Sequence, residues 1–316
     1  MVKLILPDHL IAEIKPQLPS DVEFVEVDSE GNFDGDPSDA EVYVNGFYLK
    51  SSTLDKVLAA APKLRWQQSP SAGVNHILTS NFLQRDIILT NGAGVHAIPI
   101  SEFVLAFMLY HAKNLRKLQT LQDEHTWVRG VFLEELADAT LLIIGTGNIG
   151  QAIASRAKAF GVQVWGSRRH PEPLPNFDKI VGADEWRSLL PQVDYVVIAM
   201  PLTPETKGLI DEAALRSMRP FAYLINIARG AIVDETALLT ALRDEWIAGA
   251  GLDTTATEPL PEESPLWSLP NAFITPHCSA LSPRLRDRIA ALFIDNLKRY
   301  QTGQPLRNVV DKQAGY

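Results

Sequence analysis

The stretch LLIIGTGNIGQAIASRAKAFGVQVWGSRRHP, residues 141–171, decides the fold. Four apolar residues, Leu141–Ile144, read as a buried strand that runs into Gly145, Gly147 and Gly150, spaced G-x-G-x-x-G. Gln151–Phe160 then reads as a helix and Val162–Trp165 as the next strand. Each glycine has a steric task in such a turn: a tight reversal, close approach of backbone to a pyrophosphate, and close helix–strand packing. The helix N-terminus adds free N–H groups and the positive end of its dipole. The glycine spacing alone is a weak signal; its strand–turn–helix–strand setting makes it a dinucleotide-binding unit.

About twenty residues into such a unit, an acidic side chain hydrogen-bonds the ribose 2′-OH of NAD. Here that place holds Ser167, Arg168 and Arg169. A hydroxyl and two guanidinium groups attract a 2′-phosphate, which a carboxylate would repel. The expected cofactor is therefore NADP, with NAD second to it.

Outward from this unit the strand rhythm continues through Tyr195–Ala199, Phe221–Ile225, Gly249–Leu252 and Ala272–Thr275. Before it, Val2–Leu6, Val22–Val27, Glu41–Asn45 and Leu64–Gln68 read as strands, and Leu54–Ala61 as a helix. Strands alternating with helices favour parallel sheets covered on both faces. Pro99 to Asp123 reads as one long helix with an apolar face of Phe103, Val104, Phe107, Met108 and Tyr110. The expected fold is α/β with two doubly wound parallel-sheet domains. A Rossmann domain, 97–283, is inserted into a flavodoxin-like substrate domain made of 1–96 and 284–316.

Composition sets bounds. The chain has 316 residues, 46% of them apolar, enough for two cores. Its formal net charge of −9 disfavours nucleic acid as a partner. Cys278 is the single cysteine, so no internal disulfide forms. With no signal-peptide pattern at the start and no apolar run of membrane-spanning length, a cytoplasmic protein without a membrane partner is expected. A homodimer is expected, with the Pro99–Asp123 helix at its interface.

The last three strands end in polar groups: Arg229 after one, Asp253 and Glu258 after the next, His277 after the last. Ligands of open parallel sheets bind outside the carboxyl ends of the strands. Reduction of a 2-keto acid needs a planar cation for the carboxylate, which Arg229 supplies. It needs an acid for the keto oxygen, which His277 supplies, and a carboxylate to orient the imidazole, for which Glu258 stands ready. Each has a plainer reading: a loop-capping arginine, a solvated glutamate among prolines, a core histidine. Their arrival at one sheet edge favours chemistry.

The chain resembles the D-2-hydroxyacid dehydrogenases along nearly its whole length. The resemblance is carried by SAGVNHI (71–77), TNGAGVHAIPISEFVLAFML (90–109), LLIIGTGNIGQAIA (141–154), MPLTPETKGLI (200–210), LINIARGAIVDETALLTAL (224–242), GLDTTATEPLPEESPLW (251–267) and NAFITPH (271–277). It implies that Arg229 binds the substrate carboxylate, Glu258 pairs with His277, and His277 is the acid/base. It further implies that backbone N–H groups of Ala72, Gly73 and Val74 meet the carboxylate, and that Asp253 lies near the nicotinamide amide. Asn148, Ile149, Pro201, Thr206, Ile227 and Ser279 join the cofactor contacts. Tyr48, His76, His96, Trp267 and Leu281 are candidates to line the pocket. Cys278 reads as a small buried residue rather than a nucleophile.

The arginine pair resembles the NADP-using glyoxylate/hydroxypyruvate reductases of the family, so the expected reaction is hydride transfer from NADPH to a small 2-keto acid. The alternatives are an NAD-dependent phosphoglycerate-type dehydrogenase and a dinucleotide-sensing binding protein.

Overall fold

The computed structural model describes residues 2–47 and 49–314. Two compact units divide the chain: Met1–His96 with Ser282–Tyr316, and Ala97–Leu281.

The first unit holds β1 (Lys3–Pro7), β2 (Glu23–Val27), β3 (Val42–Val44), β4 (Trp66–Gln68) and β5 (Ile88–Thr90), in the order β2-β1-β3-β4-β5. That is the flavodoxin-like order, and every pair is parallel. Alternation along β1 shows why Leu4, Ile5 and Leu6 are all apolar. Ile5 enters one core with Tyr43 and Leu89, while Leu4 and Leu6 enter the other with Trp66. This second core is completed by Ile289, Phe293 and Leu297 of the C-terminal helix Leu285–Gln301. Helices α1 (Ile11–Ile14), α2 (Ser51–Ala60) and α3 (Ser80–Leu83) belong to the same unit.

The second unit holds β6 (Thr140–Ile144), β7 (Gln163–Ser167), β8 (Lys179–Val181), β9 (Tyr195–Ile198), β10 (Tyr223–Asn226), β11 (Gly249–Leu252) and β12 (Ala272–Ile274). Their order, β12-β11-β10-β9-β6-β7-β8, is the Rossmann order with one added strand. The topological switch lies between β6 and β9. Leu142 and Ile144 face one core; Leu141 and Ile143 face the other. Each such fully buried side chain contributes roughly 1.5–3 kcal/mol by leaving water. The helices here are α4 (Ala97–Ala112), α5 (Leu115–Asp123), α6 (Asn148–Lys158), α7 (Glu212–Ser217) and α8 (Glu235–Arg243); the C-terminal helix of the first unit is α9.

Four details depart from the sequence expectation. The helix expected over Pro99–Asp123 is two helices, broken at Asn114, whose φ of 44° lies in the left-handed region that asparagine tolerates. The apolar face of α4 is consumed within its own unit: Val104, Phe107 and Met108 are fully buried, and the Phe107 ring occupies the space left by the absent side chain of Gly251. The strand expected from Phe221 starts at Tyr223, and Phe221 is exposed. Two short edge strands, β5 and β8, lie outside the strands expected from the sequence; β8 carries no apolar alternation.

Burial acts on two histidines, His96, which is buried, and His111, which is half-buried. Burial pushes the pKa of His96 and of His111 below the ordinary imidazole value of 6.5. Their contribution to stability is complete above that value and is lost as pH falls towards the depressed folded values. The slope is at most about 1.4 kcal/mol per pH unit for each. Thermal midpoints are therefore expected to fall between pH 7.5 and 5.5, above the carboxylate range, and His111→Phe to flatten the fall. A midpoint that is flat or rising over this interval contradicts the assignment.

Candidate active site

The second unit delivers its candidate residues to the carboxyl ends of its strands. Gly145 and Gly147 follow β6, Ser167 ends β7, and Pro201 and Thr206 follow β9. Ile227 and Arg229 follow β10, Asp253 and Glu258 follow β11, and His277 and Ser279 follow β12.

The glycine turn has a distinct geometry at each position. Gly145 has φ +106°, and a Cβ there would lie 2.5 Å from the Ala199 carbonyl oxygen. At Gly150 a Cβ would lie 2.3 Å from the Gly145 oxygen. Gly147 meets nothing within 4 Å, so no neighbour in its own chain requires a glycine there. It is the N-cap of α6 and offers no side-chain cap, which leaves the N–H groups of Asn148, Ile149 and Gly150 unpaired by the helix. Free donors, the dipole's positive end and an open face fit a pyrophosphate.

At the end of β7, Ser167 is buried and its hydroxyl donates to the Gly182 carbonyl at 3.0 Å. This O–H is therefore engaged within the protein and is not a free donor. Arg168 is half-buried and Arg169 exposed. Arg169 interacts electrostatically with Glu205, whose carboxyl is held below its usual value first by Thr203. Farther along, Thr206 Oγ1 donates to the Pro201 carbonyl at 2.8 Å and accepts from the Thr203 N–H at 2.7 Å, which closes that loop on itself. Ile227 is buried.

Arg229 follows a turn organised by Asn226. The Asn226 amide donates to the Arg229 carbonyl at 3.0 Å, and its oxygen accepts the Ala228 N–H at 3.1 Å. The guanidinium donates to the Ala228 carbonyl at 2.7 Å, and no carboxylate forms a salt bridge with it among the described residues. Burial weakens its hold on the proton, and nearby Glu258 acts in the opposite sense. A half-buried guanidinium with most donors unengaged suits a carboxylate ligand.

His277 Nδ1 and Glu258 Oε2 are 2.8 Å apart. A carboxylate only accepts, so Nδ1 carries the proton in this pair and Nε2 faces away from it. Both side chains remain open to solvent, 44% and 39%, so a substrate can reach them. His277 itself has φ 50°, a left-handed conformation held by its N–H donating to the Asp253 and Thr275 carbonyls at 2.9 and 3.0 Å.

Asp253 extends that hold. Its Oδ1 accepts from Thr275 Oγ1 at 2.6 Å, from the Cys278 N–H at 2.9 Å and from the Ser279 N–H at 3.2 Å; Oδ2 also accepts from Ser279 at 3.1 Å. Asp253 is 1% exposed. Its observed work is to fix the turn that presents His277, a task that the sequence did not reveal because these partners lie more than twenty residues away. Ser279 is buried within the same clamp. Cys278 is half-buried, and burial raises its thiol pKa, which does not favour a thiolate.

In the first unit, Ala72, Gly73 and Val74 follow β4. Their loop is held by the Asn91 amide donating to the Ala72 carbonyl (2.9 Å), the Gly92 N–H donating to the Ser71 carbonyl (2.8 Å) and His96 Nε2 on the Pro70 carbonyl (2.8 Å). Gly92 must lack a side chain, because a Cβ would fall 2.1 Å from the Pro70 oxygen. The N–H groups of Ala72, Gly73 and Val74 have no acceptor among the described residues. Of the pocket-lining candidates, His96 is engaged in this clamp, His76 is half-buried, and Trp267 donates through Nε1 to the Pro261 carbonyl at 2.9 Å. Leu281 is exposed, and Tyr48 lies outside the described residues. Among the described residues no helix is long and apolar enough to cross a membrane.

Comparison with known proteins gives concordant matches. A family model described as the D-isomer specific 2-hydroxyacid dehydrogenase, NAD binding domain, matches residues 105–279. A glyoxylate reductase of Korarchaeum cryptofilum is 33% identical over 288 residues, covering 88% of this chain and 81% of the relative. A D-isomer specific 2-hydroxyacid dehydrogenase of Xanthobacter autotrophicus Py2, solved with NADPH and MES, superposes with TM-score 0.89 at 28% identity, covering 100% of this chain and 99% of that one. An NADPH-dependent glyoxylate/hydroxypyruvate reductase of Sinorhizobium meliloti, solved with NADP and sulfate, gives TM-score 0.87 at 29% identity, with both chains covered completely (100%).

Proposed function

The chain belongs to the D-isomer specific 2-hydroxyacid dehydrogenase family, and from that premise we propose that it reduces small 2-keto acids of the glyoxylate and hydroxypyruvate kind with NADPH, and runs the reverse oxidation. It is an NAD(P)-dependent oxidoreductase. The product is the 2-hydroxy acid, of D configuration where that carbon is chiral. The observation that carries the reading is the 2.8 Å His277–Glu258 pair, with an arginine in the same unit that forms no salt bridge among the described residues.

The residues divide the work. Bound NADPH supplies the hydride. Arg229 holds the substrate carboxylate. His277 donates a proton from Nε2 to the keto oxygen as negative charge develops there. Glu258 keeps Nδ1 protonated and the ring oriented, and stabilises the imidazolium form. Gly147 and the start of α6 hold the pyrophosphate, and Arg168 with Arg169 holds the 2′-phosphate.

The direct test is the fall of NADPH absorbance on addition of glyoxylate, hydroxypyruvate or pyruvate. Turnover supports the reading; binding of NADPH without turnover across the panel favours the sensor alternative. The phosphoglycerate-type alternative is less supported, because the Korarchaeum relative is a glyoxylate reductase and both solved structures above hold NADPH or NADP. For the cofactor, Arg168→Ala is expected to raise KM for NADPH by about tenfold or more and to leave KM for NADH nearly unchanged, one charge-assisted hydrogen bond being worth about 1.5–3 kcal/mol. Equal losses with both cofactors would refute the 2′-phosphate assignment.

A homodimer in the cytoplasm is part of the same proposal. Its support is the segment between α5 and β6, which exposes Trp127 (93%) and Phe132 (79%) with Val128 and Leu133. Apolar groups this open on a single segment mark an interaction surface, and the occupant we assign is a second copy of the chain. Light scattering should read twice the chain mass, and Trp127→Ser with Phe132→Ser should lower it to the monomer value; a monomeric native protein ends this part of the proposal.

A further inference from the structure

Glu235 touches none of the reacting groups, yet it reaches the loop that carries one of them. It opens α8, and its Oε2 accepts the Ala256 N–H at 2.9 Å. The helix does not need this side chain for its own cap, because Asp234 takes the Thr236 and Ala237 N–H groups at 3.0 and 3.1 Å. On its other side the loop leans on Gly230, where a Cβ would fall 1.9 Å from the Thr255 carbonyl carbon. Between these supports, Thr255 Oγ1 donates to the Thr257 carbonyl at 2.8 Å, and the Thr255 N–H donates to Glu258 Oε1 at 3.2 Å. A cavity of only about 10 Å³ is left among Gly230, Glu235, Thr254 and Thr255, so the packing is close.

The aim of this loop matters because Glu258 has two donor groups near it. One is His277, bonded at 2.8 Å. The other is Arg229, which makes a single bond to a backbone carbonyl and is electrostatically coupled to Glu258. A loop free to turn would pair Glu258 with Arg229. That pairing would close the carboxylate receptor and deprive the imidazole of its partner in one movement.

We propose that Glu235 is a positioning residue: through the Ala256 N–H it holds the Glu258 loop so that the carboxylate pairs with His277 and leaves Arg229 open to the keto acid. This rests on the function proposed above. Glu235→Ala lowers kcat and raises KM for the keto acid together, about tenfold in kcat/KM, the factor that corresponds to one such hydrogen bond. KM for NADPH does not move with them. Glu235→Gln keeps an acceptor oxygen at the same reach and restores most of the loss. Glu235→Asp keeps the charge but is one methylene short, and behaves as the alanine variant does. In a Glu258→Gln background Glu235→Ala adds little, because both changes act through one contact.

A readout independent of turnover is the ¹⁵N-imidazole NMR signal of the carboxylate-bonded Nδ1–H of His277. It persists in the glutamine variant and is lost in the aspartate and alanine variants. Additive losses in the Glu258→Gln background, a glutamine variant no better than alanine, or an unchanged Nδ1–H signal in all three variants overturns the proposal. If the native enzyme reduces no keto acid, the function proposed above fails, and the NMR arm still decides the role of Glu235.

Discussion

Replacing His277 with asparagine lowers kcat for keto-acid reduction by about 10²- to 10⁴-fold, the span that general acid catalysis contributes. NADPH binding is unchanged, because the nucleotide's phosphates are assigned to other strand ends. Asparagine suits the test because it tolerates the left-handed backbone that His277 adopts at φ 50°. The variant therefore removes the proton donor and keeps the turn that Asp253 fastens through Cys278 and Ser279. Steady-state kinetics with glyoxylate and direct titration of NADPH fluorescence separate the two effects. A variant that keeps most of its kcat removes His277 from the chemistry.

Replacing Arg229 with alanine gives the second large effect, in a different pattern. Truncating one partner of a desolvated, hydrogen-bonded charge pair costs about 2–5 kcal/mol, or roughly 30-fold to several thousand-fold in kcat/KM. The loss is divided between KM and kcat, because the carboxylate contact both binds the keto acid and sets its angle to the hydride donor. Lysine is not a substitute, since it offers a point charge in place of a planar fork. An alanine variant whose keto-acid KM equals the native value shows that the carboxylate is bound elsewhere.

The parts of this molecule legible in the sequence are those with local causes. Leu141–Ile144 is apolar at every position because both faces of β6 are covered, and that pattern needs no knowledge of its partners. Gly145 and Gly150 are dictated by carbonyl oxygens within the same motif or on the neighbouring strand. Glu258 and His277 were legible as a pair because their strands are adjacent and each residue follows its strand closely. The remaining features depend on distant partners or on single torsions. The break at Asn114 is one residue in a left-handed conformation within an otherwise helical pattern. The hydroxyl of Ser167 is taken by the Gly182 carbonyl, fifteen residues on. Asp253 and Glu235 act through backbone N–H groups more than twenty residues away in sequence.

The first unit's second core joins Leu4, Leu6 and Trp66 near the start of the chain to Ile289, Phe293 and Leu297 near its end. On the ribosome, that core stays open until the final helix has emerged. The intervening nucleotide-binding segment has all seven of its strands in hand earlier. Synthesis therefore makes the first-encoded unit the last to close, and a nascent chain halted before Leu285 displays unburied leucine and tryptophan to chaperones and proteases.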